Sequence, residues 1–216
     1  MSSTQGWRKV VQHGLVPKFS PLILPARGLK KKHVIQFRKA PVEYPPVTGT
    51  ENWRRKMRTC FRCFDVNGAG YITKEDFLIS AKRIADYLDL NDERAEHMLY
   101  QRISMWDLIS KRKEGASKIS EEECLKSAPM VFNQRSCRIE SFPLQISMHF
   151  TSVDLDSDGL ISRDEQKALA YSFNVSEKDS QKVFDLLDID KDGVITIDEI
   201  AHAFAEFFFT EDPNNT

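Results

Sequence analysis

Two stretches of twelve residues carry carboxylates at a spacing that suits a hard divalent cation. Asp154-Leu155-Asp156-Ser157-Asp158-Gly159-Leu160-Ile161-Ser162-Arg163-Asp164-Glu165 has acids at positions one, three, five and twelve. Asp188-Ile189-Asp190-Lys191-Asp192-Gly193-Val194-Ile195-Thr196-Ile197-Asp198-Glu199 repeats the pattern 34 residues later. Calcium takes about six to eight oxygen ligands at roughly 2.3–2.6 Å, more than a rigid element can aim at one point. Asp154, Asp156 and Asp158, and likewise Asp188, Asp190 and Asp192, are expected to supply side-chain oxygens. Leu160 and Val194, at position seven, would add backbone carbonyls, and Glu165 and Glu199 would close each shell with both carboxylate oxygens. Gly159 and Gly193 permit a turn that a Cβ would strain. Ile161 and Ile195 are placed to pair as a miniature sheet between the loops. The bland alternative, a solvated acidic turn, leaves three carboxylates repelling one another and must occur twice in register. Two calcium sites are expected here.

A weaker copy runs from Asp65 to Asp76. Asp65, Asn67 and Gly70 stand in place, and Tyr71 can offer its carbonyl, but Ala69 removes one ligand. Asp76 replaces the long glutamate at position twelve with a shorter arm. Fewer charges weaken calcium and improve the relative standing of six-coordinate magnesium. Two readings fit: a weak Ca²⁺/Mg²⁺ site, or a vestigial loop kept for folding. A fourth copy emerges when Ile119 is aligned with the loop isoleucines. It puts Arg112 in the first position and Ser117 in the glycine position, with Glu123 alone at a ligand place. Cations where oxygens are required leave this loop unable to hold calcium, so a structural partner for the first loop is expected.

The flanking elements read as helices. Apolar spacing and capping residues predict them near 52–64, 74–88, 92–111, 121–132, 142–153, 163–173, 177–187 and 197–209. Ser120 with Glu123 and Ser176 with Asp179 are helix-start signals, and Pro143 suits a first turn. The fold expected is all-α: four helix–loop–helix units in two pairs, residues 51–133 and 134–216, with one unit degenerate.

The chain of 216 residues carries a net charge of −1, which conceals a split. Residues 1–50 hold nine Lys or Arg and one acid, leaving −9 on the remainder. The first part also holds Pro17, Pro21, Pro25, Pro41, Pro45 and Pro46, so a disordered basic arm is expected there. Its Trp7–Leu15 stretch is amphipathic, the composition of a mitochondrial transit peptide; a cytosolic basic tail is the other reading. A fusion of residues 1–50 to a fluorescent protein separates them. No apolar run approaches the ~20 residues of a membrane span. No nucleic-acid motif is present, and a monomer is expected.

Trp53-Arg54-Arg55-Lys56-Met57 leading into Phe64-Asp65-Val66-Asn67, Asp76-Phe77 after the first loop, and the order weak, dead, good, good resemble the EF-hand family of sarcoplasmic calcium-binding proteins. Calexcitin, coelenterate luciferin-binding proteins and calcium-regulated photoproteins are its relatives. The resemblance covers roughly residues 52–209 and implies two EF-hand pairs around one apolar interior, acting as an intracellular Ca²⁺/Mg²⁺ buffer. A calcium sensor opening an apolar surface to a protein target, and a calcium-triggered luciferin-type binder, are the alternatives. Photoproteins of the group end in a cavity-closing proline, whereas this chain ends Asn214-Asn215-Thr216, and no enzyme activity is expected.

Other constellations read as packing. Cys60 and Cys63 form a Cys-x-x-Cys on a helix with no second pair, and Cys124 and Cys137 are isolated. Asn174-Val175-Ser176 and Asn214-Asn215-Thr216 match the glycosylation acceptor by chance. His97, His149, His202 and the tryptophans are read as core or surface rather than as the lining of a cavity. Phe204, Phe207, Phe208 and Phe209 are read as permanently buried core rather than a calcium-exposed groove.

Overall fold

The computed structural model describes residues 34–111 and 116–214. The Trp7–Leu15 stretch and Arg112–Gly115 lie outside them. The helices are α1 (Glu51–Phe64), α2 (Lys74–Tyr87), α3 (Asp92–Lys111), α4 (Glu121–Phe132), α5 (Phe142–Thr151), α6 (Arg163–Ser172), α7 (Glu177–Leu187) and α8 (Ile197–Phe209). Each bound falls within two residues of the sequence expectation, because polar caps set most of the starts. Thr50, Ser120, Ser162, Ser176 and Thr196 each accept a backbone N–H from the first turn of the helix that follows. Pro143 lies at the start of α5, but a π-helical turn, Cys137–Ser141, runs directly into that start, so Pro143 does not mark the free helix end that the sequence suggests.

Two short strands, β1 (Tyr71–Thr73) and β2 (Lys118–Ser120), pair antiparallel with Ile72 opposite Ile119. That register makes the degenerate second loop the partner of the first. In the other pair, Ile161 and Ile195 exchange both backbone hydrogen bonds, at 2.8 and 2.9 Å. The two pairs share one interior. Its main cluster draws Trp53 and Met57 from α1, Ile84 from α2, Met98 from α3, Phe142 and Ile146 from α5, and Ile200 and Phe209 from α8. A smaller cluster of Phe61, Ile72, Phe77, Trp106 and Ile119 fills the first pair.

The basic arm ends earlier than residue 50. From Val34 onward the chain is a strap laid on the body, with Tyr44 and Val47 buried in the core. Prolines keep this strap out of any α-helix, leaving a single 3₁₀ turn at Pro41–Glu43, and its other backbone groups find partners elsewhere. Arg138 donates to the carbonyls of Pro41, Tyr44 and Pro45 at 2.5–3.0 Å, with its ring-like plane over Phe209. Asn133 and Val47 exchange two hydrogen bonds of 2.8 Å. Glu211 accepts from the N–H groups of Thr48, Gly49 and Thr50 and from the Thr48 hydroxyl.

Candidate metal centres

In each intact loop the three aspartates converge. One carboxylate oxygen from each of Asp154, Asp156 and Asp158 lies within 4.8 Å of the others, and Asp188, Asp190 and Asp192 do the same. Backbone geometry brings them together. Ser157 and Gly159 have φ of 60° and 88°, and Lys191 and Gly193 have φ of 63° and 93°. A Cβ at Gly159 or Gly193 would meet nothing within 4 Å, so glycine is needed there for its conformation rather than for room.

Loop N–H groups then aim the carboxylates. Asp154 accepts from Asp158 and Gly159, both at 3.1 Å, and Asp156 accepts from Asp158 at 3.2 Å. Asp158 and Asp192 accept from the N–H of Leu160 and Val194, at 2.8 and 3.0 Å, which ties position seven to position five. Glu165 and Glu199 lie outside the converging groups. Glu165 accepts from Leu155 N–H and, through its other oxygen, from the Ser162 N–H and hydroxyl. Glu199 does the same with Ile189 and Thr196. A carboxylate offers about four lone-pair directions, so these bonds orient each glutamate over its loop and leave acceptor capacity on both oxygens.

The electrostatics suit a cation. Lost hydration, together with Glu165, Asp158 and Asp156, pushes the Asp154 carboxyl up to about 6, against the pull of the Gly159 N–H. Asp188 is buried, and its Oδ1 has no hydrogen-bond partner. An orphaned carboxylate oxygen beside two more aspartates is unfavourable unless a cation completes it. Burial alone would raise Glu199, but the Thr196 and Ile189 donors outweigh it and hold the carboxyl below its usual range, ionised and ready.

The first loop keeps the frame with fewer charges. Asp65 accepts from Ala69 and Gly70, and Asn67 from Ala69. Asp76 is buried, with Oδ1 taken by Asn67 N–H and Oδ2 by Thr73. Its shorter arm reaches position three, where the glutamates reach position two. Tyr71 is exposed, with Lys118 over its ring.

The remaining candidates stay outside any metal geometry. Burial raises the thiol pKa of both Cys60 and Cys63, so they remain protonated, and Cys137 is a free thiol in the core. His97 is exposed beside Gln101. Asn174 is tied down: its amide donates to the Val66 carbonyl and its oxygen accepts from Arg83. Of the α8 aromatics expected to be buried, Phe209 is; Phe204, Phe207 and Phe208 are half-buried, packed against the core from its edge. Phe209 packs on Phe142 at 4.8 Å, Phe208 stacks on Phe132 at 5.2 Å, and Phe207 lies under Lys56.

Sequence reasoning overlooked Arg102. It sits on α3 between Met98 and Trp106, completely buried, with Nε and Nη2 unpartnered. The signal was there: a cation at the middle of an i, i+4, i+8 apolar stripe.

Residues 144–205 match the family model of the EF-hand domain pair, and residues 55–84 match a second EF-hand domain pair model. Both halves of the chain thus carry EF-hand domains. It is 28% identical to the luciferin-binding protein of Renilla reniformis over 169 residues, 76% of this chain and 91% of that protein. It is 32% identical to the sarcoplasmic calcium-binding protein of Hediste diversicolor over 52% of this chain and 64% of that one. The coelenterazine-binding protein of Renilla muelleri, solved in its calcium-loaded apo form, superposes with a TM-score of 0.65 at 26% identity, over 77% of this chain and 96% of its own.

Proposed function

We propose that the chain is a calcium-binding protein with two strong sites, Asp154–Glu165 and Asp188–Glu199, and that it acts as a Ca²⁺/Mg²⁺ buffer rather than as an enzyme. The ligands are the side chains of Asp154, Asp156, Asp158, Asp188, Asp190 and Asp192, the carbonyls of Leu160 and Val194, and the carboxylates of Glu165 and Glu199. The observation that carries this is the convergence of three aspartates in each loop, with the buried Asp188 Oδ1 left unpartnered. Calcium supplies the positive charge each loop lacks; the loops supply oxygens already aimed by backbone donors. Asp65, Asn67, Tyr71 and Asp76 form a weaker third position, with Ala69 as its missing ligand. Buffering is supported by the packing of Phe208 on Phe132 and of the buried Phe209 on Phe142. Titration calorimetry at low and high magnesium tests the reading. Two calcium ions with dissociation constants of order 10⁻⁸ to 10⁻⁶ M are expected; fewer than two, or binding only at millimolar calcium, defeats it.

A second reading, a small organic ligand bound by the protein, is favoured by the similarity to luciferin-binding and coelenterazine-binding proteins. Uptake of a neutral environment-sensitive dye, N-phenyl-1-naphthylamine, with one molecule bound per chain supports it; no uptake refutes it.

A further inference from the structure

The strap from Val34 to Thr50 holds a single helix, α8, at its start, along its length and just past its end. The Gln36 N–H donates to Asp198 Oδ1 at 2.8 Å, in the first turn of α8. The Tyr44 hydroxyl donates to Glu206 Oε1 at 2.5 Å, two turns further on, while its ring packs 5.8 Å from that of Phe209. Beyond the helix, Glu211 accepts from the N–H groups of Thr48, Gly49 and Thr50 at 2.6–3.1 Å and from the Thr48 hydroxyl at 2.7 Å. This helix leaves the fourth loop, and its third residue is Glu199, the carboxylate at loop position twelve. Asp198, the first anchor, is the residue beside it. Among the described residues, none of the strap's hydrogen bonds reaches α6, the corresponding helix of the third loop. The brace is one-sided. A ligand that must offer both oxygens to one ion has to be held within about 0.5 Å of its working place, and holding it there beforehand removes part of the ordering cost of binding.

We propose that the strap is a latch on the fourth loop: docked along α8, it keeps Glu199 over Asp188, Asp190 and Asp192, so that strap docking and calcium at this loop strengthen each other. This rests on the two-site reading and adds the regulation of one of the two sites. The coupling is reciprocal, since whatever factor the docked strap adds to calcium affinity, calcium returns to docking. Lifting the strap therefore releases calcium from the fourth loop before the third.

The test uses the full chain in two backgrounds. Glu165→Gln leaves the fourth loop as the one strong site, and Glu199→Gln leaves the third. The strap is loosened in each by Tyr44→Phe together with Glu211→Gln, neither of which is a loop residue. Calorimetry with calcium should show affinity at the fourth loop falling at least about fivefold, with the third loop held within about twofold. Gln36→Pro, which lacks the N–H that faces Asp198, should likewise weaken the fourth loop alone. The reciprocal arm is limited proteolysis of the strap. Saturating calcium should slow cleavage within residues 34–50 at least about fivefold in Glu165→Gln and less than about twofold in Glu199→Gln. Equal weakening of both loops, or none at the fourth, overturns the latch and leaves the two-site reading standing. Cleavage that calcium does not slow in Glu165→Gln also overturns the latch. A wild-type chain that binds calcium at neither loop overturns both.

Discussion

At loop position twelve the chain carries glutamate in two hands and aspartate in one, and a single methylene separates their behaviour. Glu165 and Glu199 span the loop to the N–H of position two, whereas Asp76 reaches only position three. Position five differs too, as Ala69 stands where Asp158 and Asp192 hold position seven. Restoring both groups in the double variant Ala69→Asp, Asp76→Glu should add a third calcium ion at micromolar concentration, read by calorimetry; an unchanged count shows that the frame of the first loop cannot close. Glu123→Gln should leave the calcium count unaltered. Its carboxylate caps α4 through Ser120, so the change should appear as a loss of about 1 kcal/mol in stability, measured by urea unfolding.

Among the elements, the strap from Val34 to Thr50 is where pH should act. Glu211 gains three N–H donors and a hydroxyl from residues 48–50. Burial by itself would raise its pKa; these donors outweigh that and lower it. A carboxylate with a lowered folded-state pKa contributes stability above its ordinary value of about 4.3, and that stability is lost as pH falls through the folded value. The strap should therefore become more accessible to protease below about pH 4, and Glu211→Gln should make it accessible at neutral pH as well. Because Glu211 is only partly buried and solvent screens its carboxylate, about 1 kcal/mol is the expected scale. Arg138→Met removes donors from three strap carbonyls at once and should cost more, roughly 2–4 kcal/mol. Strap protection that is unchanged in both variants would contradict this account of its docking. None of the strap was legible in the sequence. Prolines excluded a long regular element, and the strap holds only a 3₁₀ turn at Pro41–Glu43, but Arg138 resembles any surface cation until the fold sets it beneath the Pro41, Tyr44 and Pro45 carbonyls. Local elements fared better, since the caps at Ser120, Ser162, Ser176 and Thr196 depend on neighbours within three residues.

For the whole molecule, two EF-hand pairs share one interior, and the strap crosses from one to the other. Tyr44 donates its hydroxyl to Glu206 on α8, the Gln36 N–H is held by Asp198 inside the fourth loop, and Trp53 of α1 donates to the Phe208 carbonyl. Calcium loading should consequently leave retention on a phenyl matrix unchanged; strong calcium-dependent retention would favour a sensor. The metal loops could be read from sequence because each is a contiguous run of twelve residues. The environment of Arg102 could not, because it is assembled from α3, Phe173 and the interior around His149. The central claim, two calcium sites built from the paired loops of the second half, is tested most directly by counting ions with native mass spectrometry at micromolar free calcium. The wild-type chain should carry two, Glu165→Gln and Glu199→Gln one each, and the double variant none; one ion on the wild-type chain, or two retained in either single variant, would contradict it.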